Sequence, residues 1–311
     1  MKRLMTEKRR SRNNPFLFLY CPEIRKKRIL NKMGNVIPAF YLLMALAVFS
    51  GLTSCQKVIS LDLNSASPQL VVEANVLDLP GPYFVKLTKT VNFTDITEIP
   101  AVTDAVVTIS DSSGTRDTLA EMPEGIYQTS TISGIPGHEY KLTINTGGQV
   151  YESVSSMPYP VGFASLYVKS ETEAQNPFRG NTGQNINYVV YYQINDPAQY
   201  KNFYRFVIFH NNRNINSRRV FSDQYNNGKI IEDQLTLRDT VDFNPGDTIR
   251  IELQNIDEGT YDFYRTLREG TSGMSFLSAS PSNPISNVSN NALGYFSAYS
   301  VNEGMVVIPG N

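Results

Sequence analysis

Gly134-Ile135-Pro136-Gly137-His138-Glu139-Tyr140-Lys141-Leu142-Thr143-Ile144 reads as a turn that delivers a tyrosine onto an alternating strand. Proline and glycine set the turn. Tyr140, Leu142 and Ile144 then share one face at the period of two that a strand imposes. In sandwich domains a tyrosine placed this way bonds its hydroxyl back to nearby backbone, the tyrosine corner; an ordinary core tyrosine is the other reading. Similar short segments rich in Val, Ile, Thr, Tyr and Phe lie around it, at 69–78, 83–90, 105–111, 115–121, 125–131, 138–145 and 149–156. Seven strands at this spacing predict an all-β fold opening with an immunoglobulin-like sandwich over 69–157. Asp111-Ser112-Ser113-Gly114 supports it as a tight hairpin whose glycine supplies the positive φ such loops require.

Met157-Pro158-Tyr159-Pro160 breaks the pattern, because its two prolines cannot donate to a ladder and stiffen the chain. A domain boundary is expected there. Strands resume at 161–170, 186–195, 203–211, 235–243 and 248–255, the last pair joined through Asn244-Pro245-Gly246-Asp247, with a loop at 180–184. Over 257–269 the pattern changes: Tyr261, Tyr264 and Arg268 fall at helical spacing, Asp257 can cap the start and Gly270 can end it. One helix of about three turns is expected, followed by strands at 293–300 and 305–308. The second unit, 161–311, is therefore read as a β-sandwich-like domain carrying one short helix.

The whole-chain balance of 28 basic and 29 acidic residues hides two opposite parts. Residues 1–54 hold eleven Lys/Arg against Glu7 and Glu23, which leaves 17 basic and 27 acidic residues beyond them. Arg25-Lys26-Lys27-Arg28 and Lys32 precede an uncharged run from Val36 to Leu52, as the basic and apolar regions of an export signal do. The run is short for a span of roughly 30 Å of hydrocarbon, and it ends in Leu52-Thr53-Ser54 directly before Cys55, as a lipobox does. Residues 1–54 are thus read as a removed leader, with Met33 as a second candidate start. Cys55 is read as the lipidated first residue of the mature chain, and 55–68 as a polar tether. The other cysteine, Cys21, lies in the leader, so no disulfide is expected in the mature part.

Catalytic chemistry finds few carriers. His138 and His210 are the only histidines, and neither has a helical partner at the zinc-peptidase spacing. Gly-x-Ser-x-Gly and the phosphate-cradling glycine loop are absent. Glu232-Asp233 and Asp257-Glu258 are adjacent pairs in turn or cap positions, which points their carboxyls apart and argues against an acid/base dyad. The Asp111–Asp117 loop could offer oxygen ligands to calcium, but a hairpin with solvated acids is the favoured reading. No metal, cofactor or catalytic residue is expected, and the acidic mature chain gives no footprint for nucleic acid.

Ten Tyr and Phe residues fall between Tyr188 and Tyr225. Core is the usual explanation of such a run. The sharper alternative is a ligand or partner surface, with Tyr191, Tyr204, Arg205 and Tyr225 as its candidate residues.

The ordered motifs Leu70-Val71-Val72-Glu73-Ala74-Asn75-Val76-Leu77-Asp78, Tyr83-Phe84-Val85-Lys86-Leu87, Gly125-Ile126-Tyr127 and Asn202-Phe203-Tyr204-Arg205 run through the mature chain. Pro245-Gly246-Asp247, Tyr261-Asp262-Phe263-Tyr264, Asn283-Pro284-Ile285-Ser286-Asn287 and Leu293-Gly294-Tyr295-Phe296 follow. Together they resemble the Bacteroidota lipoproteins grouped as domain-of-unknown-function family 4249. That resemblance implies an outer-membrane lipoprotein of no established activity, encoded near TonB-dependent receptors. The expectation is a non-enzymatic binding or accessory partner of such a receptor in nutrient uptake; the alternative is a structural or assembly lipoprotein of the envelope without a small ligand. Gln56-Lys57-Val58-Ile59 lacks the acidic run that directs some such lipoproteins to the cell surface, so the periplasmic and outer faces both stay open.

Overall fold

The computed structural model describes residues 67–91, 98–172, 186–237, 243–271 and 282–310. Cys55, the apolar run 36–52 and the loop 180–184 lie outside the described residues. The first half supplies β1 (Leu70–Leu77), β2 (Phe84–Lys89), β3 (Val106–Asp111), β4 (Arg116–Thr118), β5 (Ala120–Met122), β6 (Ile126–Gln128), β7 (Glu139–Thr146) and β8 (Gln149–Ser156). The second supplies β9 (Phe163–Thr172), β10 (Ile186–Asn195), β11 (Phe203–His210), β12 (Arg213–Ser222), β13 (Ile230–Leu237), β14 (Thr248–Ile256), the helix α1 (Glu258–Thr271) and β15 (Leu293–Val307). The chain is an all-β sandwich with one α-helix among the described residues.

An eight-stranded sheet in the order β12-β11-β14-β15-β1-β2-β6-β5 is faced by a four-stranded sheet, β4-β3-β7-β8, and a three-stranded sheet, β13-β10-β9. Strand alternation explains both interiors. In β1, buried Val72, Ala74 and Val76 alternate with Glu73 and Asn75, and they meet Ile109, Leu142 and Ile144 of the four-stranded sheet. In the other interior Tyr192 and Ile194 pack with Tyr204, Phe206, Ile251 and Leu253. Each Val, Leu, Ile or Phe among them removed from water contributes about 1.5–3 kcal/mol.

The structure does not divide the chain into 69–157 and 161–311. β15, the last strand, pairs in parallel with β1 through Leu293–Tyr299 and antiparallel with β14 through Ser300–Val307. Its Phe296 and Ala298 complete the first core. Fifteen residues at roughly 3.3 Å per residue reach across both sandwiches, so the two strands expected at 293–300 and 305–308 are one. Where each neighbour stops, a side chain takes over the ladder. Asn287 Nδ2 donates to Phe296 O (2.7 Å) and Phe296 N donates to Asn287 Oδ1 (3.0 Å). Val301 N likewise donates to Asp78 Oδ1 (2.9 Å).

Other differences have local causes. The strand expected at 115–121 changes sheets at Leu119, so that β4 pairs with β3 and β5 with β6. β12 was not expected: its Arg-, Asn- and Ser-rich sequence suits an edge strand, where one side is solvated and the ladder to β11 shifts register twice. The strand expected at 235–243 lies earlier, at Ile230–Leu237, and 238–242 are outside the described residues. α1 begins as expected, Thr260 N donating to Asp257 Oδ1 at 2.8 Å. Its Phe263 and Tyr264 cover Phe203 and Tyr299 on the outer face of the large sheet.

The turn around Tyr140 is a tyrosine corner and a core position at once. Tyr140 is buried; its hydroxyl donates to Ser133 O (2.9 Å) and accepts from Ile135 N (2.6 Å). The Asp111 hairpin forms with Gly114 at φ +96°, but its acids are not solvated. Asp111 Oδ1 accepts Ser113 N (3.0 Å) and Thr115 N (2.9 Å). Buried Asp117 accepts the N–H groups of Ser130 (2.7 Å), Thr131 (2.6 Å) and Ile132 (3.0 Å). Burial alone would raise the Asp117 carboxyl, but these bonds outweigh it and hold the group below its ordinary value. Asp247, bonded by Asn211, Asn244 and His210, is lowered to about 2.

Tyr140→Phe keeps the ring and strands Ser133 O and Ile135 N, so it should lower unfolding free energy by about 1–3 kcal/mol; an unchanged urea midpoint would remove the corner from the fold's support. A carboxyl lowered on folding contributes stability that is present above its unfolded value and lost as pH falls through its folded value. Wild type should therefore lose urea resistance between 3.8 and about 2, and Asp247→Asn, which cannot titrate, should lose less across that window. Parallel curves for the two proteins would contradict this.

Candidate functional site

Between the end of the four-stranded sheet and the start of the second core lies a cleft of about 1110 Å³. One wall is the segment that leaves β8. Met157 N donates to His138 O (2.9 Å) and Gly137 N to Met157 O (2.8 Å), which carries the ladder one step past the strand. Pro158 and Pro160 then end it, since neither has an N–H. The opposite wall is the 197–202 segment that joins β10 to β11, and the floor is the start of α1.

Tyr159 and Tyr200 face each other across this cleft. They are 56 % and 55 % exposed, yet their ring centroids are 6.1 Å apart at an interplanar angle of 32°. A core pair would be buried, so these two present continuous aromatic surface to solvent. Two such amphipathic rings with few torsions supply contact area at low entropic cost.

The charged groups of the cleft are already partnered. Lys201 Nζ lies 2.6 Å from Glu258 Oε1 and 4.7 Å above the Phe203 ring. The Glu258 hydrogen bond raises the Lys201 ammonium above its ordinary value. Asp257 is raised by burial, which Thr260, Ser155 and Ser156 offset only in part. The helix N-terminus is thus occupied by its own carboxylate, and the adjacent acids do not converge: one caps the helix and the other holds a lysine. Among the described residues no group of three or more His, Cys, Asp or Glu side chains is arranged to hold a metal ion. The arrangement suits recognition of a ligand with a flat apolar face and hydrogen-bonding edges.

The surface expected from Tyr191, Tyr204, Arg205 and Tyr225 is not brought together. Tyr204 is buried, its hydroxyl donating to Asp196. Arg205 is on the opposite face of β11, 3.9 Å above the Tyr264 ring and donating to Gln254 Oε1 at 2.7 Å, where it holds α1 on the sheet. Tyr191 stacks on Tyr167 at 5.3 Å, with Lys169 Nζ 5.2 Å from both rings, on the small sheet. Tyr225, 82 % exposed, sits in the loop after β12. Alternation places adjacent residues on opposite faces, which separates Tyr204 from Arg205. Half of the aromatic run is buried: Tyr188, Tyr192 and Phe206 pack with Tyr204 inside the second sandwich, and Phe203 lies under α1 on the other face. Tyr159 was passed over as part of a linker. The overlooked signal was its position between two prolines, where no strand pairing could bury it.

A family model described as "Domain of unknown function (DUF4249)" matches residues 56–304. No curated protein matches the chain.

Core and surface tyrosines should separate cleanly on truncation. Tyr204→Ala is expected to lower unfolding free energy by about 3–5 kcal/mol and Tyr225→Ala by less than about 0.5 kcal/mol. Equal losses in chemical denaturation would refute the assignment.

Proposed function

This chain belongs to the DUF4249 family over residues 56–304, and from that premise we propose that it is a lipid-anchored, non-enzymatic binding protein of the outer membrane. It works beside a TonB-dependent receptor in nutrient uptake and takes its ligand or partner segment in the cleft at Tyr159 and Tyr200. The observation that carries the binding role is the pair of half-exposed tyrosines closing one cleft, with the neighbouring acids already occupied.

The anchor rests on sequence. Leu52-Thr53-Ser54-Cys55 has the form of a lipobox after a basic and then apolar leader. No helix of the described residues is long and apolar enough to cross a membrane. Acyl chains on Cys55 would hold the protein by about 0.8 kcal/mol per buried CH₂, and more than one chain is needed for stable anchoring. Thirteen tether residues, 56–68, would then separate the folded part from the bilayer.

Two measurements test the two halves of this reading. Cys55→Ala should move the protein from the membrane to the soluble fraction, and retention in the membrane would reject the lipid anchor. Tagged wild type, gently solubilised, should recover a TonB-dependent channel. Tyr159→Ala combined with Tyr200→Ala should cut that recovery by about tenfold or more while leaving the thermal midpoint in place. Recovery of the lipoprotein alone would favour the assembly role, and full recovery with the double variant would clear the cleft of any part in binding.

A further inference from the structure

Behind the Tyr200 wall, three residues from three separate segments meet at one end of the second core. Asp196 follows β10, Asn202 precedes β11 and Asp223 follows β12. Phe203 and Ser222 are the last registered pair of β11 and β12, so Asn202 and Asp223 stand opposite each other one step beyond. Asn202 N donates to Asp223 Oδ2 (2.8 Å) and Asp223 N to Asn202 O (3.1 Å). Alternation puts both side chains on the inner face, with Tyr204 and Phe221. Asp196 joins them because Tyr204 donates to its Oδ1.

The loop from Asp223 to Lys229 closes over this group. Asn226 N donates to Asp223 O (2.6 Å) and Lys229 N to Asn226 O (2.9 Å). Gly228 N then donates to Asp196 Oδ2 (2.9 Å), and Asp196 N to Lys229 O (3.2 Å). The loop therefore starts on one carboxylate and ends on the other.

Two independent deficits remain inside. First, Asp196, Asn202 and Asp223 are only 7 %, 5 % and 1 % exposed, yet Asp223 Oδ1 and Asn202 Oδ1 have no hydrogen-bond partner among the described residues. Buried acceptors without donors are strongly disfavoured. Second, two buried carboxylates share the site and neither has an ion-pair partner among the described residues. Lys201, whose charge reaches Asp223, is committed to Glu258. Buried like charges without a counter-charge are not tolerated unless something neutralises them.

We propose that a calcium ion binds between the Asp196 and Asp223 carboxylates and the Asn202 amide oxygen, under the 223–229 loop. The donors are all oxygen, with no imidazole or thiolate, which selects a hard cation over zinc or copper. Calcium fits ligands gathered from irregular segments, whereas magnesium demands a near-octahedral set. The ion supplies the missing partner of both orphaned oxygens and the missing positive charge together. It also pins both ends of the 197–202 segment, so the Tyr200 wall of the cleft is set by the ion. The site stands on its own geometry and does not depend on the receptor-partner role.

The competing solution is a proton on Asp223 Oδ1, donated to Asn202 Oδ1. Burial raises the Asp223 carboxyl in that direction.

The test uses the full-length detergent-solubilised protein, stripped with EDTA and titrated with CaCl₂ alone. At about 1 mM calcium the thermal midpoint should rise by about 3 °C or more, with magnesium giving less. Terbium should give tyrosine-sensitised emission that calcium displaces. Asp223→Asn keeps the size and an acceptor for Asn202 N, and it should abolish both signals. Asn202→Asp adds a third carboxylate and should do the reverse, binding calcium several-fold tighter while lowering the midpoint of the stripped protein. Absence of both wild-type signals, or their survival in Asp223→Asn, overturns the proposal. No calcium effect together with a stripped Asp223→Asn midpoint at or above wild type assigns the site to the proton instead.

Discussion

Between Tyr299 and Ser300 the last strand changes partners: Tyr299 is registered on Leu77 of β1 and Ser300 on Asn255 of β14. Each neighbour covers half of β15, so one strand belongs to both cores and neither is complete without it. Close approach makes this possible. A Cβ on Gly294 would sit 1.9 Å from the backbone carbonyl oxygen of Val72; real side chains never approach so closely. Gly294 also takes φ +91°, a region that favours glycine. Because a buried ladder cannot leave backbone groups unpaired, Asn287 and Asp78 replace the missing strand at the two places where a neighbour ends.

The cleft is a consequence of that sharing. Two sandwiches built on one sheet must be joined on their other side by chain that crosses the gap, and that chain is Met157–Val161. Its prolines cannot join a ladder, so it stands off as a wall and leaves Tyr159 partly in solvent. The 197–202 segment does the same from the second core. The helix start closes the floor because β14, which feeds α1, is the strand next to β15. The carboxylates divide along the same lines. Those that staple turns, Asp111, Asp117 and Asp247, are held low by N–H and side-chain donors. Those sunk at the sandwich ends, Asp223 and Asp257, are raised by burial that their partners do not fully offset.

The strands of the first half were legible because alternation and turn chemistry are local: Tyr140, the Asp111 hairpin and the Asp257 cap all act within a few residues. β12 escaped notice because an edge strand need not alternate in hydrophobicity. The candidate surface failed at Tyr204 for the opposite reason, that an aromatic on a two-sided buried strand looks the same in sequence whether it faces a core or a partner. Tyr159 was hidden by being read for its neighbours instead of its own exposure.

Sequence alone determined the all-β class, the position of most strands and the helix, the turn that delivers Tyr140 and the family resemblance, since each rests on short-range pattern. Only the tertiary structure decided that the last strand enters the first core, that two tyrosines 41 positions apart close one cleft, and that Asp196, Asn202 and Asp223 share a buried pocket. The physical reason is that parallel pairing and convergence of loops depend on contacts between distant parts of the chain, and no local propensity encodes which distant partner completes a sheet.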